Sequence, residues 1–254
     1  MTFAADSHSE TGSGEENQDL ALTGPDWALV LDGANPPAGV DVGCVHGVAW
    51  IVGRLGAHLH DRIREGSLRD VLRSAIRATA ADHGPACDLA HPRSPGATAA
   101  VVRMNGDQAE WLVVGDAAIL FESTGGDVTM ETDNRMYELP DPPDTVEGIR
   151  AYIDRYRNKP GGAWFAGAVP EAADHAYAGS RPAAGVRRIL LCSNGITRLT
   201  YRFGYGLPEL MAFAAQGPKP LVQAVRAAEL DDPDPDRWSG KRHDDATAVV
   251  IDLP

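Results

Sequence analysis

Between Ala97 and Ser123 the chain runs through apolar, strand-like sequence with no room for a helix. "ATAAVVRM" (Ala97–Met104) passes through "NGDQ" into "AEWLVVGDAAILFES" (Ala109–Ser123). Asn-Gly between two apolar runs is a strong hairpin signal, because both residues tolerate the positive φ that a two-residue turn requires. Strands joined so tightly are antiparallel, since a parallel pair needs a long crossover. This argues against a doubly wound nucleotide-binding sheet, as does the lack of a GxGxxG after the first strong strand. Further runs rich in Val, Ile and Leu and bounded by Gly, Asn or Asp are "WALVLDGA" (Trp27–Ala34), "RRILLCSN" (Arg187–Asn194) and "DATAVVIDL" (Asp245–Leu253).

Helical spacing occupies other segments. Val48, Ile51, Val52, Leu55 and Leu59 form one apolar stripe. Leu68, Val71, Leu72, Ala75 and Ile76 form a second, with Ser67 placed to cap it. Shorter helical patterns cover Val146–Tyr156, Pro208–Ala215 and Leu221–Glu229. Runs of strands without crossover helices predict antiparallel sheets with helices packed outside them.

The chain has 254 residues and 43% hydrophobic composition, enough for a substantial core. No internal repeat or long linker divides it. We expect a flexible N-terminal tail over residues 1–14 and a single domain over residues 15–254. The opening "MTFAADSHSETGSGEE" has neither a basic nor an apolar region, so it does not read as a signal peptide. No apolar run approaches the ~20 residues of a membrane span, so no membrane partner is expected. A net charge of -13 argues against a nucleic-acid partner, which needs a basic surface. The three cysteines, Cys44, Cys87 and Cys192, include no CxxC pair. That pattern argues against a disulfide framework and a zinc knuckle and predicts a reducing, cytoplasmic location.

Acids recur at strand ends. "ENQD" places Asp19 before the first strong strand, and "LVLDGA" ends that strand with Asp32 and Gly33. "TMETDNR" carries Asp133, "LLCSNGITRL" carries Asn194, and "HDDAT" carries Asp244 and Asp245. Oxygen ligands of this kind suit Mg²⁺ or Mn²⁺ better than zinc. Any one of them alone reads as turn chemistry or solvated charge.

Their order is more specific. "PGATAAVV", "VVGDAAIL" and "HDDATAVVIDL" alternate with the acids in a series that resembles the metal-dependent protein phosphatases, type 2C, from about Asn17 to Leu253. The resemblance implies an α+β fold: a four-layer α-β-β-α sandwich of two antiparallel sheets flanked by helices. It implies two Mn²⁺ or Mg²⁺ ions, with Asp32 bridging them and the Gly33 carbonyl binding one. Asn194 and Asp244 would complete the second ion, Asp133 would hold a third, looser ion, and Asp19 would act through water. Gly115 and Asp116 match a structural turn better than a ligand. The reaction would be phosphomonoester hydrolysis by a metal-bridged hydroxide, with ions about 4 Å apart. No nucleophilic side chain is required, and Cys192 reads as a small buried residue.

Three departures qualify the resemblance. "GSGEENQD" lacks the arginine that often precedes the first acidic motif to hold substrate phosphate. Ala34 stands where animal members carry a histidine after Asp-Gly, and a Pro-rich loop follows; His46 beyond it is either a general acid or a packing residue. Asn194 replaces an aspartate and removes a charge beside the ions, which weakens the site. It fits a weakened natural variant, a pseudophosphatase, or an engineered substitution. Trp164 and Phe165 lie in a flap-like segment, Gly161–Ser180, and either face substrate or pack the flap. The leading expectation is a protein serine/threonine phosphatase acting on a phosphorylated protein. A phosphatase of small phosphorylated metabolites and a non-catalytic module binding a phosphorylated partner or a cognate kinase are the alternatives.

Overall fold

The computed structural model describes residues 2–34, 39–143, 145–238 and 241–253. The strands are β1 (Ala4–Glu10), β2 (Asp19–Thr23), β3 (Trp27–Ala34), β4 (Gly96–Asn105), β5 (Gln108–Val114), β6 (Ala118–Ser123), β7 (Val128–Thr132), β8 (Tyr177–Pro182), β9 (Val186–Cys192) and β10 (Ala246–Asp252). The α-helices are α1 (Val48–Arg62), α2 (Leu68–Ala81), α3 (Val146–Tyr156), α4 (Ala172–His175), α5 (Asn194–Tyr201), α6 (Leu207–Ala214) and α7 (Pro218–Asp231). The strands form two five-stranded sheets, ordered β1-β10-β9-β6-β7 and β2-β3-β4-β5-β8. The paired strands run antiparallel.

The four layers follow from which strand faces are apolar. Ala28, Val30, Val102 and Val113 of one sheet meet Ile119, Phe121, Ile189 and Val249 of the other, forming the apolar inter-sheet core. The opposite face of β3–β4–β5, including Leu29, Leu31 and Val101, is covered by the α1 and α2 stripes. The outer face of β9 and β10 packs on α5, α6 and α7 through Leu190, Cys192, Ile196, Leu210 and Val222. Strands buried on both faces read as continuous apolar runs, as "WALVL" and "AVVI" do. Each fully buried Leu or Ile contributes about 1.5–3 kcal/mol relative to exposure.

The expected hairpin joins β4 to β5, with Asn105 opposite Gln108 and Gly106 at φ +63°. The α1 stripe is buried as expected, and the Ser67 side chain accepts from the Asp70 amide at 3.2 Å to cap α2. Other expectations need correction. "AEWLVVGDAAILFES" is two strands, because Gly115 at φ +69° turns the chain from one sheet into the other. Residues 4–10, expected in a flexible tail, form β1 and pair with β10 from Ala4↔Asp252 to Glu10↔Ala246. Buried Asp245 holds the following segment by accepting from the amides of Gly12 (2.7 Å) and Gln18 (2.9 Å). Polar composition hid a strand whose stability comes from a partner more than 200 residues away. The Pro-rich loop at residues 35–38 lies outside the described residues. Among the described residues no helix is long and apolar enough to cross a membrane.

Candidate metal centre

Asp19 of β2 sits directly opposite Asp32 of β3, and Thr98 of β4 is opposite Asp32 on its other side. Like charges across an antiparallel pair repel, so this row calls for a cation or for protons. The first turn of α5 closes over it. The Asn194 amide N–H donates to Asp32 Oδ2 at 3.0 Å, and Asn194 Nδ2 donates to Asp116 Oδ2 at 3.3 Å. Asp116 lies in the β5–β6 turn, is 2% exposed, and also accepts from the Tyr137 hydroxyl at 3.1 Å. Asp32, Thr98, Asp116, Tyr137 and Asn194 line one cleft of about 930 Å³, together with Gly33 and Asp244. Gly33 has no alternative there: a Cβ would sit 2.3 Å from Val48 Cγ1 and 2.7 Å from the Gln18 carbonyl.

The electrostatics of the cluster are unbalanced. Burial, then the charges of Asp19, Asp116 and Asp244, push the Asp32 carboxyl well above the usual range. Burial raises Asp19 to about 7, with Asp245 and Asp244 adding to the rise and Ser193 and Thr247 opposing it. Asp116 is raised by burial, against the hydrogen bonds from Asn194 and Tyr137. Asp19 Oδ2, Asn194 Oδ1 and Thr98 Oγ1 are buried without a hydrogen-bond partner. Buried orphan oxygens are costly, and hard oxygens beside repelling carboxylates are the donor set a Mg²⁺ or Mn²⁺ ion takes. The residues present therefore fit one divalent ion among Asp32, Asp116 and Asn194 Oδ1, with Asp19 behind them.

Two other expected ligands are already engaged by arginines. Arg198, on α5 and 7% exposed, donates to Asp244 Oδ2 at 2.5 Å and lies 3.3 Å from buried Glu229. Lys241 Nζ approaches the other Asp244 oxygen at 3.3 Å. Asp133 is 1% exposed and does not line the cleft. Its carboxylate accepts from Arg135 Nε at 2.8 Å and from the Nη2 of the same guanidinium, while its Oδ1 also caps the following turn. The Asp133 charge is thus matched internally, so the expected looser ion has no open carboxylate there. Asp116, read from sequence as a turn residue, takes a place beside Asp32 that Asp133 does not.

His46 is not placed with the acids. Its ring stacks on Trp50 at 3.9 Å, and its Nδ1 lies 3.3 Å from Cys87 Sγ and 3.7 Å from Cys44 Sγ. The expected general-acid role finds no support in that position. Cys44 and Cys87, read as isolated thiols, approach to 3.5 Å because the α1–α2 hairpin folds its two flanking loops together. Cys192 is fully buried with its thiol pKa pushed up, so it is no nucleophile.

The cleft also holds Arg157, an arginine that no sequence motif marks. Its guanidinium lies 4.4 Å from the centroid of the Phe165 ring, its Nη2 donates to the Ala34 carbonyl at 3.2 Å, and burial lowers its pKa to about 10. Phe165 thus lines the cleft, whereas Trp164 is buried against His175, the two rings stacked at 3.7 Å. The stacked pair Tyr137 and Tyr201 walls another side.

The family model described as protein phosphatase 2C matches residues 6–141, which include Asp19, Asp32, Asp116 and Asp133. No sequence among curated proteins matches significantly. Solved structures share the fold across the whole chain. A sex determining protein of C. elegans aligns with 100% of this chain at 15% identity and a TM-score of 0.62, and the chain spans 65% of that protein's length. The catalytic domain of the serine/threonine protein phosphatase PstP, in complex with 2 manganese ions, aligns over 99% of this chain and 98% of its own, at 20% identity and a TM-score of 0.56. The serine/threonine phosphatase Stp1 of Staphylococcus aureus aligns over 100% and 96%, at 12% identity and a TM-score of 0.66. With more than half of its length matched and its sandwich shared throughout, this chain belongs to the protein phosphatase 2C family.

Proposed function

We propose that the chain is a metal-dependent phosphomonoester hydrolase of low turnover, acting on phosphoserine or phosphothreonine of a protein. The observation that carries this reading is the row Asp19–Asp32–Thr98 closed by Asn194 and Asp116, with three buried oxygens lacking partners. Family membership and fold support a metal-dependent phosphatase, and the relative PstP holds 2 manganese ions. Asp32, Asp116 and Asn194 would hold the ion. Bound there, Mn²⁺ or Mg²⁺ supplies a Lewis acid for the phosphoryl oxygens and an acidified water.

The chain's own residues do the rest. Arg157 presents a desolvated guanidinium to an anionic phosphoryl group, a geometry suited to paired N–H···O bonds. The Asn194 amide N–H fixes one Asp32 oxygen at 3.0 Å and so sets the direction of the other. Tyr137 holds Asp116 and, with Tyr201, leaves an open aromatic edge where a peptide can lie. Low turnover follows from two features. Asn194 brings an oxygen without charge, and Arg198 already neutralises Asp244, which a second ion would need.

A second reading is favoured by those arginines. Where Arg198 and Arg135 stand against Asp244 and Asp133 permanently, the cleft binds a phosphorylated protein or a cognate kinase without hydrolysis. The test is a phosphopeptide panel and a panel of small phosphorylated metabolites, each with Mn²⁺, against an Asp32→Ala control. Metal-dependent release of phosphate from peptides, lost in Asp32→Ala, supports the first reading. Release from metabolites alone replaces the substrate class. Peptide binding without release establishes the second reading.

A further inference from the structure

We propose that Cys44, His46, His83 and Cys87 form a structural zinc site, separate from the acidic cleft. Four potential ligand atoms, two thiol sulfurs and two imidazole nitrogens, lie within 4.8 Å of one another. The two Sγ atoms are 3.5 Å apart, and His46 Nδ1 is 3.7 Å and 3.3 Å from them. A tetrahedral zinc with Zn–S of about 2.3 Å and Zn–N of about 2.0 Å places its ligand atoms roughly 3.3–3.8 Å apart. These three edges fall within or close to that range.

His83 provides the independent observation. Its Nδ1 lies 3.0 Å from the Thr79 carbonyl, which can only accept, so Nδ1 carries the proton. That leaves Nε2 with a lone pair, and Nε2 is buried without any hydrogen-bond partner. A carbonyl holding the far nitrogen of a metal-binding histidine is the usual outer support of such a ligand. The Trp50 ring stacks on His46 at 3.9 Å and meets the edge of His83 at 4.8 Å, covering one side of the cluster. A set of two sulfurs and two nitrogens within 4.8 Å of one another selects zinc over Mg²⁺ or Mn²⁺, and four protein ligands make a closed, non-catalytic site. Binding releases both thiol protons to solvent, and two thiolates leave the zinc site neutral.

The alternative for two nearby thiols is a disulfide, which requires an S–S distance of about 2.05 Å and an oxidant. A disulfide would also leave His83 Nε2 unpartnered. The site ties the loop before α1 to the loop after α2. The first residue of α1, Val48, packs where a Gly33 side chain would go, so zinc would brace the wall next to Asp32.

The test uses the full chain, expressed with zinc supplied and purified under reduction. Metal analysis should give one zinc per chain, retained in Cys192→Ser and lost in Cys87→Ser. Exchange with Co²⁺ should give tetrahedral d–d bands and a thiolate-to-cobalt charge-transfer band in the parent protein, an arm that needs no variant to fold. Less than a tenth of a zinc per chain, a Co²⁺ complex with no charge-transfer band, or zinc retained in Cys87→Ser would each overturn the proposal. So would a Cys44–Cys87 disulfide in the reduced preparation.

Discussion

Replacing Asn194 by aspartate should push the protein in opposite directions with and without a divalent ion. In the metal-free protein the change removes the Nδ2 donor to Asp116, a bond of 3.3 Å that is worth about 1 kcal/mol. It also sets a carboxylate at that distance. At an effective dielectric constant of about 20, two unit charges there repel by about 5 kcal/mol. Asp116, whose carboxyl is already raised, can keep its proton and relieve most of that. The net cost is on the order of 1–3 kcal/mol, a fall in Tm of roughly 2–8 °C for a chain of this size. With Mn²⁺ the sign reverses, because the added charge now faces the ion. Affinity should rise at least ~10-fold, equivalent to about 1.4 kcal/mol. Thermal unfolding of both proteins in chelator and across a Mn²⁺ titration measures both effects. An Asn194→Asp protein that matches the parent in chelator and shows the same Mn²⁺ midpoint would refute the placement of an ion beside Asn194.

Three other outcomes follow from the same geometry. Asp19, Asp32 and Asp116 hold protons more tightly folded than unfolded, so the folded state binds more protons between about pH 4 and pH 7. Chelated protein should therefore gain stability as pH falls through that window, and saturating Mn²⁺ should flatten the slope; Tm against pH with and without the ion reads this directly. Arg198→Met removes one partner of Asp244, which keeps Lys241, and one of buried Glu229, which keeps Arg226 and His243, so it should cost about 1.5–3 kcal/mol in denaturant unfolding while tightening Mn²⁺ binding several-fold by calorimetry. Arg157→Ala should raise KM for phosphopeptides roughly 10-fold or more, a loss of about 1.5–3 kcal/mol for a hydrogen bond to a charged group, with Mn²⁺ affinity unchanged.

The parts of the fold that were legible in the sequence are those where local pattern and tertiary burial agree. "WALVLDGA" is β3 residue for residue, and the 48–59 and 68–76 stripes are the buried faces of α1 and α2. β1 and β8 were not legible: both are polar edge strands, specified by β10 and β5 rather than by their own composition. Asn194 was expected at the end of a strand and instead opens α5, a helix fixed by the packing of Ile196 and Leu199. At the site, Asp19, Asp32, Asn194 and Asp244 stand out as candidates because their order along the chain is distinctive. Asp116 was set aside because a Gly-Asp turn reads the same whether or not it faces a cleft. The arginines that engage Asp133 and Asp244 were missed for different reasons. Arg135 lies only two residues from Asp133, so its pairing is local, but Arg198 reaches Asp244 only through the fold. The juxtaposition of Cys44 with Cys87 is equally a product of the α1–α2 hairpin, with no CxxC to announce it.

The most direct measurement of the central claim is an anomalous difference map from crystals of the full chain grown with Mn²⁺. The account predicts a manganese peak bounded by Asp32, Asp116 and Asn194 Oδ1, with none at Asp133, where Arg135 remains bonded. A peak at Asp133 with nothing beside Asp32, or no manganese in the cleft at millimolar Mn²⁺, would contradict it.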